Sequence, residues 1–333
     1  MAQATFKALV ARRADRDLQI RMEDVGFEAL PPGDLLVEVQ YSSLNYKDAM
    51  ALGNKGILRG FPAVPGIDLA GTVAESQDPR FAPGDPVLVT GWGLGEQRWG
   101  GYAQYARVQA DWALPLPAGA TPAFCMAMGT AGLTAMLCVL DLEAAGLTPG
   151  AGEVLVTGAG GGVGSIAVAL LAARGHQVVA MSGKPELHEL LTGLGAARII
   201  DRTALATPSK PGRFILEPEA FQGAVDTVGG DTLASILART RYGGAVAACG
   251  LVAGANLDTT VFPFILRGVK LLGVDSVRCP TPRRKEAWAR LMSDLPAAFA
   301  SLVRQVPLAG VQAEAEQMLA GAARGRVVVA VKE

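Results

Sequence analysis

Cysteine and histidine are scarce in this chain. Its four cysteines, Cys125, Cys138, Cys249 and Cys279, are scattered over 333 residues without a Cys-x-x-Cys pair, and His176 and His188 are the only histidines. That spacing excludes a structural zinc knuckle and a redox dithiol motif, and leaves reduced, buried thiols as the simplest reading. Charge is also thin. Charged residues make up 18%, with 30 Lys and Arg against 31 Asp and Glu, a formal net charge of −1. A chain with no basic excess is not built to neutralise a nucleic-acid backbone. Met1–Arg13 has no apolar core ahead of a small-residue cleavage site, so no secretory signal is expected. Ala123–Leu140, within the longest uncharged run, reaches the length of a membrane span. Gly129, Thr130, Gly132 and Thr134 dilute it, and no basic cluster flanks it, so it reads as a buried helix. The expectation is a soluble, cytoplasmic protein with neither a membrane nor a nucleic-acid partner.

Apolar residues are plentiful at 50%, and 41 residues are glycine, without any collagen period. The length favours two domains, each able to bury a core. The first third reads as β-rich, with short strands such as Leu35–Val39 and Pro86–Thr90 following the Pro/Gly turns at 31–34 and 83–85. Such punctuation predicts a compact, barrel-like unit. After an apolar helix at about 128–146 the pattern changes. Strand-like runs at Glu153–Thr157, Gln177–Met181, Arg198–Ile200, Gly223–Thr227, Ala245–Cys249 and Lys270–Asp275 alternate with helical ones at about 162–174, 185–193, 231–240 and 261–267. The fold class predicted from that alternation is α/β, a doubly wound parallel sheet with helices on both faces. A polar helix at about 282–301 then leads to a last strand, Val327–Val331.

The sharpest local signal lies where the strand Val154–Thr157 runs into Gly158-Ala159-Gly160-Gly161-Gly162-Val163-Gly164 and on into an apolar helix. The dinucleotide fingerprint G-x-G-x-x-G appears as Ala159-x-Gly161-x-x-Gly164. Gly161 lets backbone approach a pyrophosphate, Gly164 lets helix and strand pack closely, and the positive helix end, opening at Gly162 and Val163, faces the phosphates. The second strand ends in Ser182-Gly183-Lys184 with no acid. An acid there would grip the ribose hydroxyls of NAD. A hydroxyl, a cation at Lys184 and a second cation at Arg202 suit a 2′-phosphate instead, so the expected cofactor is NADP(H).

Several stretches resemble the medium-chain dehydrogenase/reductases, in the quinone-oxidoreductase branch. They are Ser42-Ser43-Leu44-Asn45-Tyr46-Lys47-Asp48, Pro65–Val73, Thr90–Gly93, Trp99–Gly101, Gly129–Met136, Ala248–Leu251, Phe262–Arg267 and Leu272–Val277. Together they are similar to the acryloyl-CoA reductase family over nearly the whole chain. The resemblance implies a GroES-like catalytic domain at 1–127, completed by 298–333, and a Rossmann NADP-binding domain at 128–297. It implies NADPH-dependent reduction of acryloyl-CoA to propanoyl-CoA. It places Tyr46 and Asn45 against the nicotinamide, with Tyr46 contacting cofactor or substrate and organising the proton path. Asn45 is a donor to substrate or ribose on this reading, and Leu251, Ile265 and Ser276 line the nicotinamide end. The zinc-dependent relatives carry a Cys near the position of Asn45 and a Gly-His-Glu where this chain has Gly66-Ile67-Asp68, so no metal is expected. Lys270–Asp275 reads as an edge strand that pairs two copies into a homodimer. Two other readings share the same fold: a broad NADPH-dependent quinone or enone reductase, and a non-catalytic NADPH sensor.

Overall fold

A computed structural model describes residues 5–15, 17–205, 216–322 and 324–332. The chain forms two compact units, 1–130 with 277–285 and 302–333, and 131–276 with 286–301.

The first unit holds an antiparallel hairpin, β1 (Thr5–Ala14) and β2 (Asp17–Gly26), and a larger sheet. That sheet is built from β3 (Leu35–Leu44), β4 (Asp68–Ser76), β5 (Pro86–Thr90), β6 (Tyr105–Val108), β7 (Leu114–Pro115), β14 (Val303–Pro307) and β15 (Arg326–Ala330). Its order is β14-β15-β3-β4-β5-β7, with β6 also on β3. The alternation of Val37, Val39, Val87 and Val89 sends one face of these strands into a core with Leu9, Leu69, Tyr102, Val327 and Val329. Between β3 and β4 lies the short helix α1 (Tyr46–Leu52), and α8 (Val311–Leu319) precedes β15. The hairpin, β14 and α8 are elements beyond those read from the sequence.

The apolar run forms α2 (Pro122–Ala144), which continues from the first unit into the second. Among the described residues it is the one helix long and apolar enough to cross a membrane, but most of it is buried in the protein. It is kinked at Gly129, whose φ of 52° is accessible to glycine and costly for other residues.

In the second unit, β8 (Glu153–Val156), β9 (Gln177–Met181), β10 (Arg198–Ile200), β11 (Phe221–Asp226), β12 (Thr240–Ala248) and β13 (Lys270–Gly273) form a parallel sheet in the order β10-β9-β8-β11-β12-β13. Helices α3 (Gly162–Ala173), α4 (His188–Gly193), α5 (Gly230–Arg239) and α6 (Phe262–Arg267) connect the strands. The strand order reverses after β10, between β8 and β11, and an open α/β sheet binds its ligands outside the carboxyl ends of strands at such a switch. The polar helix is shorter than its sequence implied. Here α7 (Thr281–Asp294) stops before Pro296, and a 3-10 stretch, Ala297–Leu302, follows.

Candidate functional site

The glycine turn sits at that switch. Strand β8 ends, the chain turns through Gly158 at φ 56°, and Gly161 in extended conformation caps α3. A Cβ on Gly164 would run into the carbonyl oxygen of Gly158 and lie 2.8 Å from Ala159 Cα, so only glycine lets the first turn of α3 close against the strand end. Gly161 N–H bonds back to Gly158 O at 2.9 Å, tightening the loop. The opening N–H groups of α3, from Gly162, Val163 and Gly164, have no carbonyl within the helix to meet. The turn is braced by Asp226 at the end of β11. Its carboxylate accepts from Thr157 Oγ1 at 2.7 Å and from Gly229 N–H at 2.8 Å, and burial pushes its pKa up. This cradle fits a dinucleotide pyrophosphate.

Ser182, Gly183, Lys184 and Arg202 come together at the carboxyl ends of β9 and β10. Ser182 N–H bonds to Ile200 O at 3.0 Å, and its hydroxyl accepts from Lys184 N–H at 3.2 Å. The Arg202 side chain lies along Gly183, its Cδ and Nε 3.1 Å from where a Cβ would stand. The Ser182 hydroxyl and the Arg202 side chain therefore share one corner with the Lys184 backbone, beside the glycine turn, and this corner fits a 2′-phosphate.

At the ends of β12 and β13 an open cavity of about 490 Å³ is lined by Ala248, Cys249, Gly250, Leu251, Gly273, Val274 and Asp275. Leu251 is 66% exposed there. Ile265 is 68% exposed on α6 but is not part of this lining. Ser276 is buried, with its hydroxyl accepting from Thr134 Oγ1 at 2.8 Å.

In the first unit, Asn45 is the N-cap of α1 and Tyr46 is the first residue of that helix, 47% exposed. Around Asn45 lies a buried polar network that the sequence alone did not single out as functional. The Asp68 carboxylate accepts from Ser43 Oγ (2.5 Å), Asn45 Nδ2 (2.8 Å), Thr130 N–H (2.8 Å) and Thr130 Oγ1 (2.5 Å). Asp48 accepts from the backbone N–H groups of Asn45 (2.9 Å) and Ile67 (2.8 Å), and from Asn45 Nδ2 (3.2 Å). The hydrogens of the Asn45 amide are thus directed at two carboxylates and Ser43. Burial, then repulsion from Asp68, pushes the Asp48 pKa up to about 7. The counter-charge is the buried guanidinium of Arg326, which donates to Ala127 O at 2.8 Å and is drawn by Asp68 and Asp48. The kink at Gly129 makes room for this network, since a Cβ there would stand 2.5 Å from Asp68 Oδ2. The sequence hint was a charge at the first position of two strands, Asp68 opening β4 and Arg326 opening the apolar β15.

These residues do not fit a zinc ion. Asn45 offers an amide, both oxygens of Asp68 are taken by protein donors, and a guanidinium already supplies the positive charge. Among the described residues no three His, Cys, Asp or Glu side chains gather into a metal-binding group.

Residues 31–118 match the alcohol dehydrogenase GroES-like domain family, and residues 162–294 match the zinc-binding dehydrogenase family. The chain is 48% identical over 331 residues to the acrylyl-CoA reductase AcuI of Ruegeria pomeroyi, covering 98% of this chain and 99% of that protein. Among solved structures, the yhdH oxidoreductase of Salmonella enterica in complex with NADP superposes with a TM-score of 0.94 at 51% identity, covering 98% of this chain and all of the other. The Bacillus subtilis protein yhfP with NAD bound superposes with a TM-score of 0.93 at 44% identity, covering 98% and 99%.

Proposed function

The chain belongs to the acrylyl-CoA reductases of the medium-chain dehydrogenase/reductase superfamily, and we infer from that membership that it reduces the conjugated double bond of acryloyl-CoA to give propanoyl-CoA, with NADPH as reductant. The observation that carries this reading is the near full-length identity to AcuI, joined to a glycine turn and a Ser182/Lys184/Arg202 corner that suit NADP(H). When bound, NADPH would supply the hydride that the substrate β-carbon takes. Negative charge then develops on the thioester oxygen, and the α-carbon takes a proton.

The chain's own groups bind, orient and deliver that proton. Gly161, Gly162, Val163 and Gly164 hold the pyrophosphate, while Ser182, Gly183, Lys184 and Arg202 hold the 2′-phosphate. Leu251, Ile265 and Ser276 belong to the nicotinamide end. Tyr46 contacts cofactor or substrate and organises proton delivery. Asn45 places Tyr46, because its amide hydrogens are spent on Asp68, Asp48 and Ser43. Tyr46→Phe should lower kcat by about 10- to 100-fold, the range from one lost hydrogen bond to the low end of general acid catalysis, and leave the melting temperature unchanged. Asn45→Ala should lower kcat and also melt earlier, since it removes the amide donor to the buried Asp68 and Asp48 carboxylates, and a hydrogen bond to a charged group is worth about 1.5–3 kcal/mol. Full turnover in both variants removes these assignments. The reading as a whole is tested by following NADPH consumption against propanoyl-CoA formation with acryloyl-CoA as substrate.

The active form is a homodimer in the cytoplasm, where four free cysteines stay reduced. Among the described residues, strand β13 ends the parallel sheet with one side unpaired. Leu271 on it and Val261, Phe262 and Leu266 in and beside α6 are exposed apolar side chains. A second copy pairing at this edge would cover both. Light scattering should give twice the 34.4 kDa chain mass. A mass of one chain at working concentration contradicts the dimer.

A further inference from the structure

Asp226 is the last residue of β11, at the point where the strand order switches, and its side chain is fully buried. Its carboxylate reaches in two directions. One oxygen accepts from Thr157 Oγ1 at 2.7 Å, just past the end of β8 where the glycine turn begins, and from Val228 N–H at 3.3 Å. The other accepts from Gly229 N–H at 2.8 Å. All three partners donate and none is a cation. A side-chain amide, with one acceptor and one donor end, cannot serve them all, so the place demands a carboxylate. Burying that charge is costly, and a plain packing tie would avoid it.

Each direction leads to a different part of the candidate cofactor site. Toward β8, Thr227 reinforces the link: its N–H donates to Thr157 Oγ1 at 3.0 Å and its hydroxyl to Thr157 O at 2.9 Å. The same hydroxyl stands where a Cβ on Gly158 would fall, so the first residue of the glycine turn rests on it. Away from β8, Gly229 lies at φ 74° against the loop that lines the open cavity. A Cβ on it would stand 2.8 Å from Gly254 O, 2.9 Å from Gly250 O and 3.0 Å from Leu251 Cα. Val228 O accepts from Ala253 N–H at 2.8 Å, and Asp226 O from Cys249 N–H at 2.9 Å. The segment 226–229 is therefore clamped between the glycine turn and the loop 249–254.

We propose that Asp226 is a positioning residue that couples the two ends of the cofactor site. Through Thr157 it holds the glycine turn that takes the pyrophosphate. Through Gly229 it holds Gly250 and Leu251 at the nicotinamide end. The nicotinamide is thereby bound in a fixed place relative to the phosphates, which is what hydride transfer needs. The assignment of the two ends rests on the cofactor reading above.

The test titrates the full chain by calorimetry with NADPH and with 2′-phospho-ADP-ribose, which carries the same phosphates without nicotinamide. The wild type should bind NADPH about tenfold more tightly than the fragment, within the 5- to 150-fold usual for coupled sites. Asp226→Asn keeps the size of the side chain with one acceptor, and the milder Thr157→Val keeps the shape and removes the donor. Each should bind the fragment as the wild type does, bring the ratio close to one and lower kcat for acryloyl-CoA about tenfold or more. The double variant should be no worse than the weaker single one, because both changes cut the same link. A variant that weakens fragment and NADPH equally, as a merely structural brace would, overturns the proposal. So does a wild-type ratio of one, or additive losses in the double variant. A ratio that collapses in both variants of a protein that never reduces acryloyl-CoA supports the coupling and overturns the functional reading. Reduction of acryloyl-CoA with the ratio unchanged in both variants does the reverse.

Discussion

Alanine at both Lys184 and Arg202 should bring the preference for NADPH over NADH close to one. NADP carries a 2′-phosphate that NAD lacks. An acid at the end of β9 would repel that phosphate, and this chain has Ser182 there, with Arg202 packed against Gly183 and Lys184 following it in the chain. A hydrogen bond to a charged group is worth about 1.5–3 kcal/mol, and about 1.4 kcal/mol is a factor of ten in affinity. Each single substitution should therefore raise the Michaelis constant for NADPH roughly 10- to 100-fold. Arg202 is exposed, and screening by water places it at the lower end of that range. NADH turnover should hardly change, because the deleted groups have no phosphate to meet. Equal losses with both cofactors would mean that the two cations support the fold rather than read the phosphate. The comparison has particular point because yhfP, 44% identical, was solved with NAD bound.

Asp68→Ala should be the most destabilising single change in the first unit. It leaves Ser43 and both Thr130 donors without their acceptor, takes one of three acceptors from the Asn45 amide, and removes the leading counter-charge of the buried Arg326. Breaking a buried charge pair by removing one partner costs about 3–5 kcal/mol. For a unit of this size that is a fall of about 6–20 °C in melting temperature. Asp68→Asn should lie in between. Its amide oxygen can still accept from Ser43, Asn45 and Thr130 N–H, and its nitrogen can donate to Thr130 Oγ1, so the charge alone is lost. Scanning calorimetry of the three proteins checks the order. An Asp68→Ala variant that melts with the wild type would show that the network does not hold this region together.

What could be read from the sequence was local. The strand, glycine cluster and helix from Val154 to Leu171 announce themselves because their constraints fall on neighbouring residues. The alternation of apolar runs likewise foretold the six parallel strands. The hairpin β1 and β2 stayed hidden because charged Arg12, Arg13, Asp15 and Asp17 crowd its turn, and only Val25 of β2 is buried, so the apolar alternation is weak. The buried network stayed hidden for a different reason. Asp48, Asp68, Thr130 and Arg326 come from four separate stretches of chain and meet only when α1, β4, β15 and the kink of α2 are assembled. Nothing adjacent to any of them marks the meeting. Asn45 illustrates the same limit: its place could be read, but the direction of its amide depends on carboxylates 3 and 23 residues away.

The most direct test of the account is to compare kcat/KM for acryloyl-CoA, crotonyl-CoA and a benzoquinone side by side, following NADPH oxidation and identifying the products. The account predicts the highest value with acryloyl-CoA and one propanoyl-CoA formed for each NADPH consumed. Quinone turnover far above that of acryloyl-CoA, or tight NADPH binding with no turnover of any of the three, would contradict it.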